Sequence, residues 1–413
     1  MRYVVIGASA AGVNGAENLR RLDKDAEIIL ISEDKYIYSR CILHHYIGNM
    51  RNIEQLNFVE ESFFQKNKIQ WKKDKKVVKI DELQKNILLD DGEIVEYDKV
   101  LIASGSRPFI PPIENMRDRL NVIGLKTLDD CDRIIQLART AKNIVVVGAG
   151  LIGMDAISGL LHSKEEETNL YLVEMENRLL PLQLDKEASK IYEEKLKENK
   201  VNLYLETKVV KANLDENGLV KSLELLSGEE IPADLVVVAA GIRPNVDFLR
   251  ETEVVVDDMG LVINEKGETN IKDIYGAGDV TGRGPIWSVA VKEGIIATSN
   301  MAGMKRTMDD FFVCKSTMNF FGIPTLSLGN LKYYENEKGM KFDIYNDKKG
   351  IYKKIAHKDG YIYGAIIQGD LEYTGVLTQL IRLDINISNV KKSIFNIDYS
   401  DFFHINKNLE FEF

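Results

Sequence analysis

The chain has 413 residues, 45% of them hydrophobic and 29% charged, with a formal net charge of −10. That length suits about three domains, and the acid excess argues against nucleic acid or an anionic membrane as partner, since both need cationic surface. No apolar run is long enough to span a bilayer, Met1-Arg2 leads straight into an apolar stretch, and Cys41, Cys131 and Cys314 make neither a disulfide framework nor a CxxC site, so a protein of the reducing cytoplasm is expected.

The apolar run Tyr3 to Ile6 ends in the turn Gly7-Ala8-Ser9-Ala10-Ala11-Gly12. Val13, Ala16, Leu19 and Leu22 then share one helical face, and a second apolar run, Ile28 to Ile31, leads to the acid Glu33. Strand, tight turn, helix, strand and acid is the order of a dinucleotide fold. The turn amides and the positive helix end face a pyrophosphate, and the carboxylate accepts from ribose hydroxyls. Ser9 replaces the usual middle glycine, and its small side chain still permits close approach.

Asp34 to Gly48 reads as a loop leading into a short helical pattern. Asn52 to Ile69 reads as helix with intervening turns, packed through Leu56, Phe58, Phe63 and Phe64. A meander follows at Lys76 to Ile80, Asn86 to Asp90 and Glu93 to Tyr97, turning at Asp91-Gly92. The buried run Val100 to Ala103 then enters Ser104-Gly105-Ser106-Arg107-Pro108.

Phe109 to Glu114 is a linker, and a helix is expected from about Leu128 to Thr140. After it the first pattern returns in Ile144 to Glu174, with Gly148, Gly150 and Gly153. Gly148 lies 141 positions after Gly7, and Glu174 lies 141 after Glu33. A second repeat follows, in which Leu88 to Pro108 resembles Leu225 to Pro244. Gly228, Asp234, Gly241 and Pro244 each lie 136 positions after Gly92, Asp98, Gly105 and Pro108. Two dinucleotide folds call for two dinucleotides.

Asp185 to Glu198 is a charged helix whose charges read as a solvated face. In TNIKDIYGAGDV, Thr269 to Val280, Asp279 stands where it can bind a polyol hydroxyl or cap a helix. Ile286 to Gly303 is a helix with Val289, Ile296 and Met301 among its apolar positions. Beyond Lys305 a three-stranded meander, Met340 to Ile367, is expected, then a helix with Val376, Leu377, Leu380 and Ile381 on one face. The fold class is α/β: two Rossmann-like domains, 1–112 with 242–304 and 113–241, plus a C-terminal α+β dimerisation-type domain, 305–413.

These motifs resemble the FAD-dependent pyridine nucleotide–disulfide oxidoreductase class over nearly the whole chain. The resemblance rests on GASAAG with Glu33, ASGSRP, GAGLIG with Glu174, GIRPN and TNIKDIYGAGD. YSR at Tyr38 to Arg40 and IWSVAVKEGIIATSNMAG look most like NADH:rubredoxin oxidoreductases and nitrite reductase large subunits. The C-terminal DGYIYGAIIQGDLEYTGVLTQLI resembles the dimer domain they share with coenzyme A disulfide reductases.

The resemblance implies FAD on Gly7, Ser9, Ala10, Ala11, Gly12, Glu33, Arg40, Val78, Ala103, Ser104, Gly105, Arg107, Gly278, Asp279 and Trp287. It implies NAD(H) on Gly148, Gly150, Leu151, Ile152, Gly153, Asp155, Glu174 and Gly241, with NADH preferred and no metal. Asp155 stands where the family often has glutamate. A homodimer is implied, with Tyr399 resembling an aromatic that reaches the neighbouring subunit's active site.

The acceptor is open. Tyr46 excludes the two-cysteine pattern, whereas Cys41 with Tyr46 resembles the single-cysteine branch of NADH peroxidases, NADH oxidases and coenzyme A disulfide reductases. Cys41 would then be a thiolate activated by Arg40 and a helix N-terminus, cycling through a sulfenic acid or mixed disulfide, with His44 shuttling protons. The acceptors would be coenzyme A disulfide, a persulfide, peroxide or O2. Against this, the first glycine loop lacks the peroxidase histidine, and the YSR context belongs to enzymes that reduce a small redox protein such as rubredoxin. A packing role for Cys41 fits that alternative, and a third reading is a redox sensor without turnover.

Overall fold

A computed structural model describes residues 1–308, 315–329, 331–334, 337–347, 350–402, 404–405, 407–408 and 411–412; Cys314 lies outside them. The chain forms two compact units, Met1–Ala141 with Gly159–Glu166 and Leu235–Val313, and Lys142–Ser158 with Glu167–Asp234 and Cys314–Phe413.

The first unit is built on a five-stranded parallel sheet. Its order is Ile274–Gly276, Lys99–Ile102, Arg2–Ile6, Glu27–Ile31 and Ile69–Lys72. Both faces are covered, which is why the central strands are apolar throughout. Tyr3 and Val5 pack with Leu19, Ala297 and Met301, from the Ala10–Leu22 and Trp287–Met301 helices. Val4 and Ile6 point the other way, against Ile80, Ile87 and Leu89. Those three belong to the expected meander, observed as antiparallel Val77–Asp81, Asn86–Leu89 and Ile94–Glu96.

The Asn52 to Ile69 region holds two one-turn helices, Ile53–Leu56 and Phe63–Lys66, and its last residue opens the edge strand Ile69–Lys72. A buried polar clasp fixes the two long helices together. The Asn18 amide donates to the Ile295 carbonyl, Thr298 Oγ1 and Ser299 Oγ at 3.0–3.1 Å.

In the second unit, Asn143–Val147, Asn169–Val173 and Val201–Tyr204 pair in parallel. An antiparallel meander, Val209–Leu214, Val220–Leu225 and Glu230–Pro232, follows. The C-terminal sheet is antiparallel with five strands rather than three. Lys315–Phe320 and Ile323–Leu328 extend the expected meander, in the order 315–320, 323–328, 361–368, 352–358, 341–346.

This sheet meets the Lys186–Glu198 helix through a polar seam. Tyr192, fully buried, bonds Thr325 Oγ1 at 2.6 Å and donates to the Ile323 carbonyl at 3.1 Å. Asp185 caps that helix through the Ala188 amide at 2.9 Å and accepts from Tyr352 Oη at 2.7 Å and Lys354 Nζ at 2.9 Å. Only the outer side of the charged helix is therefore a solvated face.

Burial opposes the Asp185 charge, yet the Ala188 amide, Lys354 and Tyr352 together hold its carboxyl below the usual range. A depressed carboxyl stabilises above its unfolded pKa, and that contribution is lost as pH falls through the folded value. Lys354→Met should destabilise the chain by about 3 kcal/mol at neutral pH, because it leaves a buried carboxylate without its cation. The difference from the unsubstituted chain should shrink in acid, measured by urea unfolding at neutral and acidic pH. An equal loss at both would mean that the seam is held by packing alone.

Candidate functional site

The first glycine turn is set by contacts on both sides. The Gly7 amide donates to the Ile31 carbonyl at 2.7 Å. Gly7 has φ +111°, and a Cβ there would sit 2.0 Å from the Ala103 carbonyl oxygen. Ser9 is the N-cap of the Ala10–Leu22 helix, makes no side-chain cap bond, and is followed by no acid in the first turn. The amides and positive end of that helix thus keep a face suited to an anion.

Ala10 and Ala11 are buried. Gly278 packs beside Ala11, bringing the Gly278-Asp279 turn to the same place, where Asp279 begins the short 3-10 turn Asp279–Thr281. One Asp279 oxygen accepts from Ser106 Oγ at 3.0 Å and Lys126 Nζ at 2.7 Å. Lys126 is presented by the capping box of the next helix, since the Asp130 carboxylate accepts from the Lys126 and Thr127 amides. No motif in the sequence marks Lys126.

The loop Ala103 to Arg107 is held by its own repeat. Ser106–Pro108 pairs antiparallel with Ile242–Pro244, so Arg107 lies opposite Arg243. Ser104 Oγ donates to the Asn245 carbonyl at 2.7 Å, and Asn245 Nδ2 returns a bond to the Ser104 carbonyl at 3.0 Å. Arg107 forms a half-exposed ion pair with Asp247 at 3.0 Å, which points it along this pairing. Glu33 is exposed, with Lys76 at 3.6 Å, and Val78 is exposed on its strand. Trp287 opens the last helix of the fold, edge-on to Phe58 with ring centres 4.8 Å apart.

In the second unit the Gly148 amide donates to the Val173 carbonyl at 2.8 Å, copying the bond of Gly7. Around Gly150 there is open space where a side chain would stand. Leu151 and Ile152 begin the helix Leu151–Ser163, which also carries Gly153.

Glu174 is buried and both its oxygens accept amides, Oε2 from Ala149 at 2.6 Å and Oε1 from Glu176 at 2.9 Å. It is not the spatial copy of Glu33. Ile6 pairs with Ile31 in one sheet and Val147 with Val173 in the other, so the second connection is one residue longer. Glu174 follows its strand directly, whereas Glu33 stands one residue further out. One step reverses the direction of a side chain, which explains why one acid is buried and the other exposed. Asp155 keeps some accessible surface, and desolvation by its neighbours raises its carboxyl well above the usual range. Gly241, in the first unit, has φ +116° and open space around it.

Cys41 is exposed, and it lies in the 3-10 turn Arg40–Ile42, just ahead of the five-residue helix Leu43–Ile47. So short a helix offers much less dipole than the expected helix N-terminus. The expected neighbouring cation is also engaged, since Arg40 pairs with Asp34 at 2.6 Å and lies over the Tyr38 ring at 4.8 Å. His44 packs edge-on to His45, with centroids 4.2 Å apart. Burial, then the charges of His45, His162 and Arg51, push the His44 imidazole down to about 4, so it is neutral at pH 7. Tyr46 donates to Asp132 at 2.8 Å. Tyr399 is exposed on the 3-10 turn Tyr399–Phe402.

The family model for pyridine nucleotide-disulphide oxidoreductases matches residues 1–294. The chain belongs to that family. The model of the rubredoxin NAD+ reductase C-terminal domain matches residues 315–385. The chain is similar to a nitrite reductase (NAD(P)H) of Bacillus subtilis, at 28% identity over 95% of this chain and 48% of that one. It is also similar to an NADH oxidase of Methanocaldococcus jannaschii, at 30% identity over 74% of this chain and 71% of that one. Among solved structures, a NAD-dependent persulfide reductase from A. fulgidus matches with TM-score 0.82 and 26% identity, over 94% of this chain and 77% of that one. The chain spans about half the length of the curated Bacillus subtilis relatives it matches.

Members of that family are oxidoreductases that use FAD and NAD(H). Both glycine turns fit such groups, because each sets a helix N-terminus behind a turn of glycines and small residues with an acid near the neighbouring strand end. Among the described residues, no cluster of three or more metal-ligating side chains occurs and no helix is long and apolar enough to cross a membrane.

Gly7→Ala should cost at least about 2 kcal/mol, because its Cβ meets the Ala103 carbonyl in a backbone region that alanine avoids. Gly105→Ala, with φ +68° and nothing within 4 Å, should cost only about 1 kcal/mol. Thermal unfolding of the two apoproteins measures the difference. Equal losses would show that the Gly7 contact relaxes away.

Proposed function

We propose that the chain oxidises NADH and delivers its electrons through FAD to a thiol- or disulfide-type acceptor at Cys41. FAD would occupy the first glycine turn in a domain of residues 1–112 with 242–304, and NADH the second turn in residues 113–241. The observation that carries the acceptor is the accessible Cys41 thiol, in the loop that leaves the FAD fold just after Glu33. The bound flavin supplies hydride acceptance from NADH and release of two electrons to the next centre.

The protein's share is positioning. Lys126 and Ser106 hold Asp279 at the cradle, and the positive end of the Trp287 helix would face the flavin. The Cys41 thiolate would attack a disulfide acceptor, expelling one half as thiolate and leaving a mixed disulfide; two electrons, which bound FAD would supply, and a proton would then release the other half as thiol and restore the Cys41 thiolate. With Arg40 on Asp34 and His44 neutral, activation of the thiol falls to the bound cofactor and to solvent. The thiols Cys41 and Cys131 suit a reducing cytoplasm.

A second reading is favoured by the match of residues 315–385: transfer from FAD to a small rubredoxin-like protein, with Cys41 not involved. Cys41→Ser separates the two. On the first reading it abolishes turnover with disulfide, persulfide and peroxide while NADH-to-dye activity persists, since the covalent step requires sulfur. It should also remove the long-wavelength band of a thiolate stacked on oxidised FAD. Unchanged activity with every acceptor would leave the second reading.

NADH should be preferred over NADPH. Glu174, fixed by two amides, repels a 2′-phosphate, and Arg178 is turned to the Leu184 and Pro181 carbonyls at 2.8 and 3.0 Å. Glu174→Ala should narrow the ratio of kcat/KM values by about tenfold or more. An unsubstituted chain using both nucleotides equally would refute the assignment. Residues 305–413 are proposed to form the homodimer contact, with Tyr399 extended toward the partner, which sedimentation of the intact chain tests.

A further inference from the structure

Glu293 lies in the second turn of the Trp287–Met301 helix, and only 3% of its surface is exposed. Its Oε2 accepts from the Gly278 amide at 2.7 Å and lies 3.4 Å from Thr281 Oγ1, whose hydroxyl also donates to the Gly278 carbonyl. Its Oε1 is buried and has no hydrogen-bond partner among the described residues. The carboxyl thus grips the turn that presents Asp279. The same helix is pressed onto the phosphate-facing loop, since a Cβ on Gly294 would stand 2.3 Å from the Ala11 carbonyl oxygen and one on Gly278 would meet Ala11 Cβ at 3.1 Å. One buried carboxyl therefore sits where the glycine loop, the Gly278-Asp279 turn and the last helix converge.

The charges around it leave its ionisation poorly compensated. From the 278–283 turn it faces Asp279, itself held by Lys126, and Arg283, whose guanidinium donates to the Ile263 and Asn264 carbonyls. From the 261–268 segment Glu265 lines the same small gap, which Met308 closes. The glycine loop contributes no titratable side chain.

We propose that Glu293 is a proton-holding positioning residue of the flavin cradle: it binds FAD as the neutral acid, takes up a proton when FAD loads, and makes flavin retention weaken as pH rises. The proposal rests on placing FAD at the first glycine turn. Desolvation, partly offset by the Gly278 amide and Arg283, pushes the Glu293 carboxyl up to about 7 before any ligand arrives. The dianionic pyrophosphate brought to the adjoining loop must raise it further, because a like charge disfavours ionisation. The sign follows from linkage. Affinity is full below the free-state value near 7, falls as pH rises through the interval up to the bound-state value, and levels off above it.

The test is calorimetry of FAD binding to apoprotein at about pH 7.5, in two buffers of different ionisation enthalpy, with the affinity followed across pH by flavin fluorescence. The expected result is uptake of a substantial fraction of one proton and a fall of up to about tenfold in affinity per pH unit above 7. Glu293→Gln keeps the bond to the Gly278 amide and should bind FAD with buffer-independent heat and a flat pH profile. The same uptake in Glu293→Gln, or none in the unsubstituted protein, would overturn the proposal. If Glu293→Gln does not fold, the infrared carbonyl band of a protonated carboxyl decides it. That band should grow when FAD is added to unsubstituted apoprotein, and its absence is equally fatal. Glu33→Ala, an exposed change, tests the underlying assignment separately, since undiminished FAD affinity there would refute the site and not the proton.

Discussion

The contact on which the first unit depends is the approach of the glycine turn to its neighbours on three sides. Gly7 lies against the Ala103 carbonyl, Ala11 against Gly294, and Gly278 against Ala11. The first two approaches are closer than a side chain allows and the third leaves a Cβ crowded, so the segments that converge on the cradle are held close by backbone. The Asn18 clasp to Ile295, Thr298 and Ser299 locks the two helices in that geometry. A cradle made this way is rigid before any ligand binds, which lowers the ordering cost of binding. It also leaves little room for water, so a carboxyl such as Glu293 at its centre is strongly desolvated.

The parts of this arrangement legible in the sequence were those with a backbone signature. Apolar strands of four or five residues, glycines at turn positions and the two spaced repeats located both dinucleotide folds and the Leu128–Ala138 helix to within a few residues. Elements without such a signature were missed. Ile69–Lys72 is a four-residue edge strand with one fully buried position. Lys315–Phe320 carries Lys, Thr and Asn on its outer face, and Ile323–Leu328 contains Pro324, which discourages a strand reading, although it sits at the second position where its missing donor costs little. The charge on Asp185–Glu198 hid Tyr192 and Ser189, whose buried hydroxyls are satisfied across the seam to the C-terminal sheet and by the Leu179 amide and Glu193, respectively.

Site residues divide the same way. The glycines and Asp279 stand out as candidates because their positions in a motif carry their chemistry. Lys126 and Glu293 could not, because each acts through a partner far away in sequence. Lys126 reaches Asp279 across 153 positions. Glu293 reaches Gly278 over 15, a spacing that matches no local turn or helix rule. The expectation that Arg40 serves Cys41 followed from adjacency, and the nearer electrostatic well at Asp34, with Tyr38 donating to the same carboxylate at 2.6 Å, won instead.

The two folds also differ in how each presents the acid that follows its second strand. One residue added between the first and second strands of the second copy turns its acid inward, onto the Ala149 amide of the glycine loop. In the first copy the acid stays outside, in a loose ion pair with Lys76. A ribose meeting Glu33 faces a side chain free to adjust, as suits a group held for many turnovers by the rest of the cradle. A ribose meeting Glu174 faces a carboxylate already oriented by two amides, with little freedom to swing away from a phosphate. On the proposed assignment, discrimination against a 2′-phosphate would be sharper at the second acid, because the cost of moving it includes breaking both of those bonds.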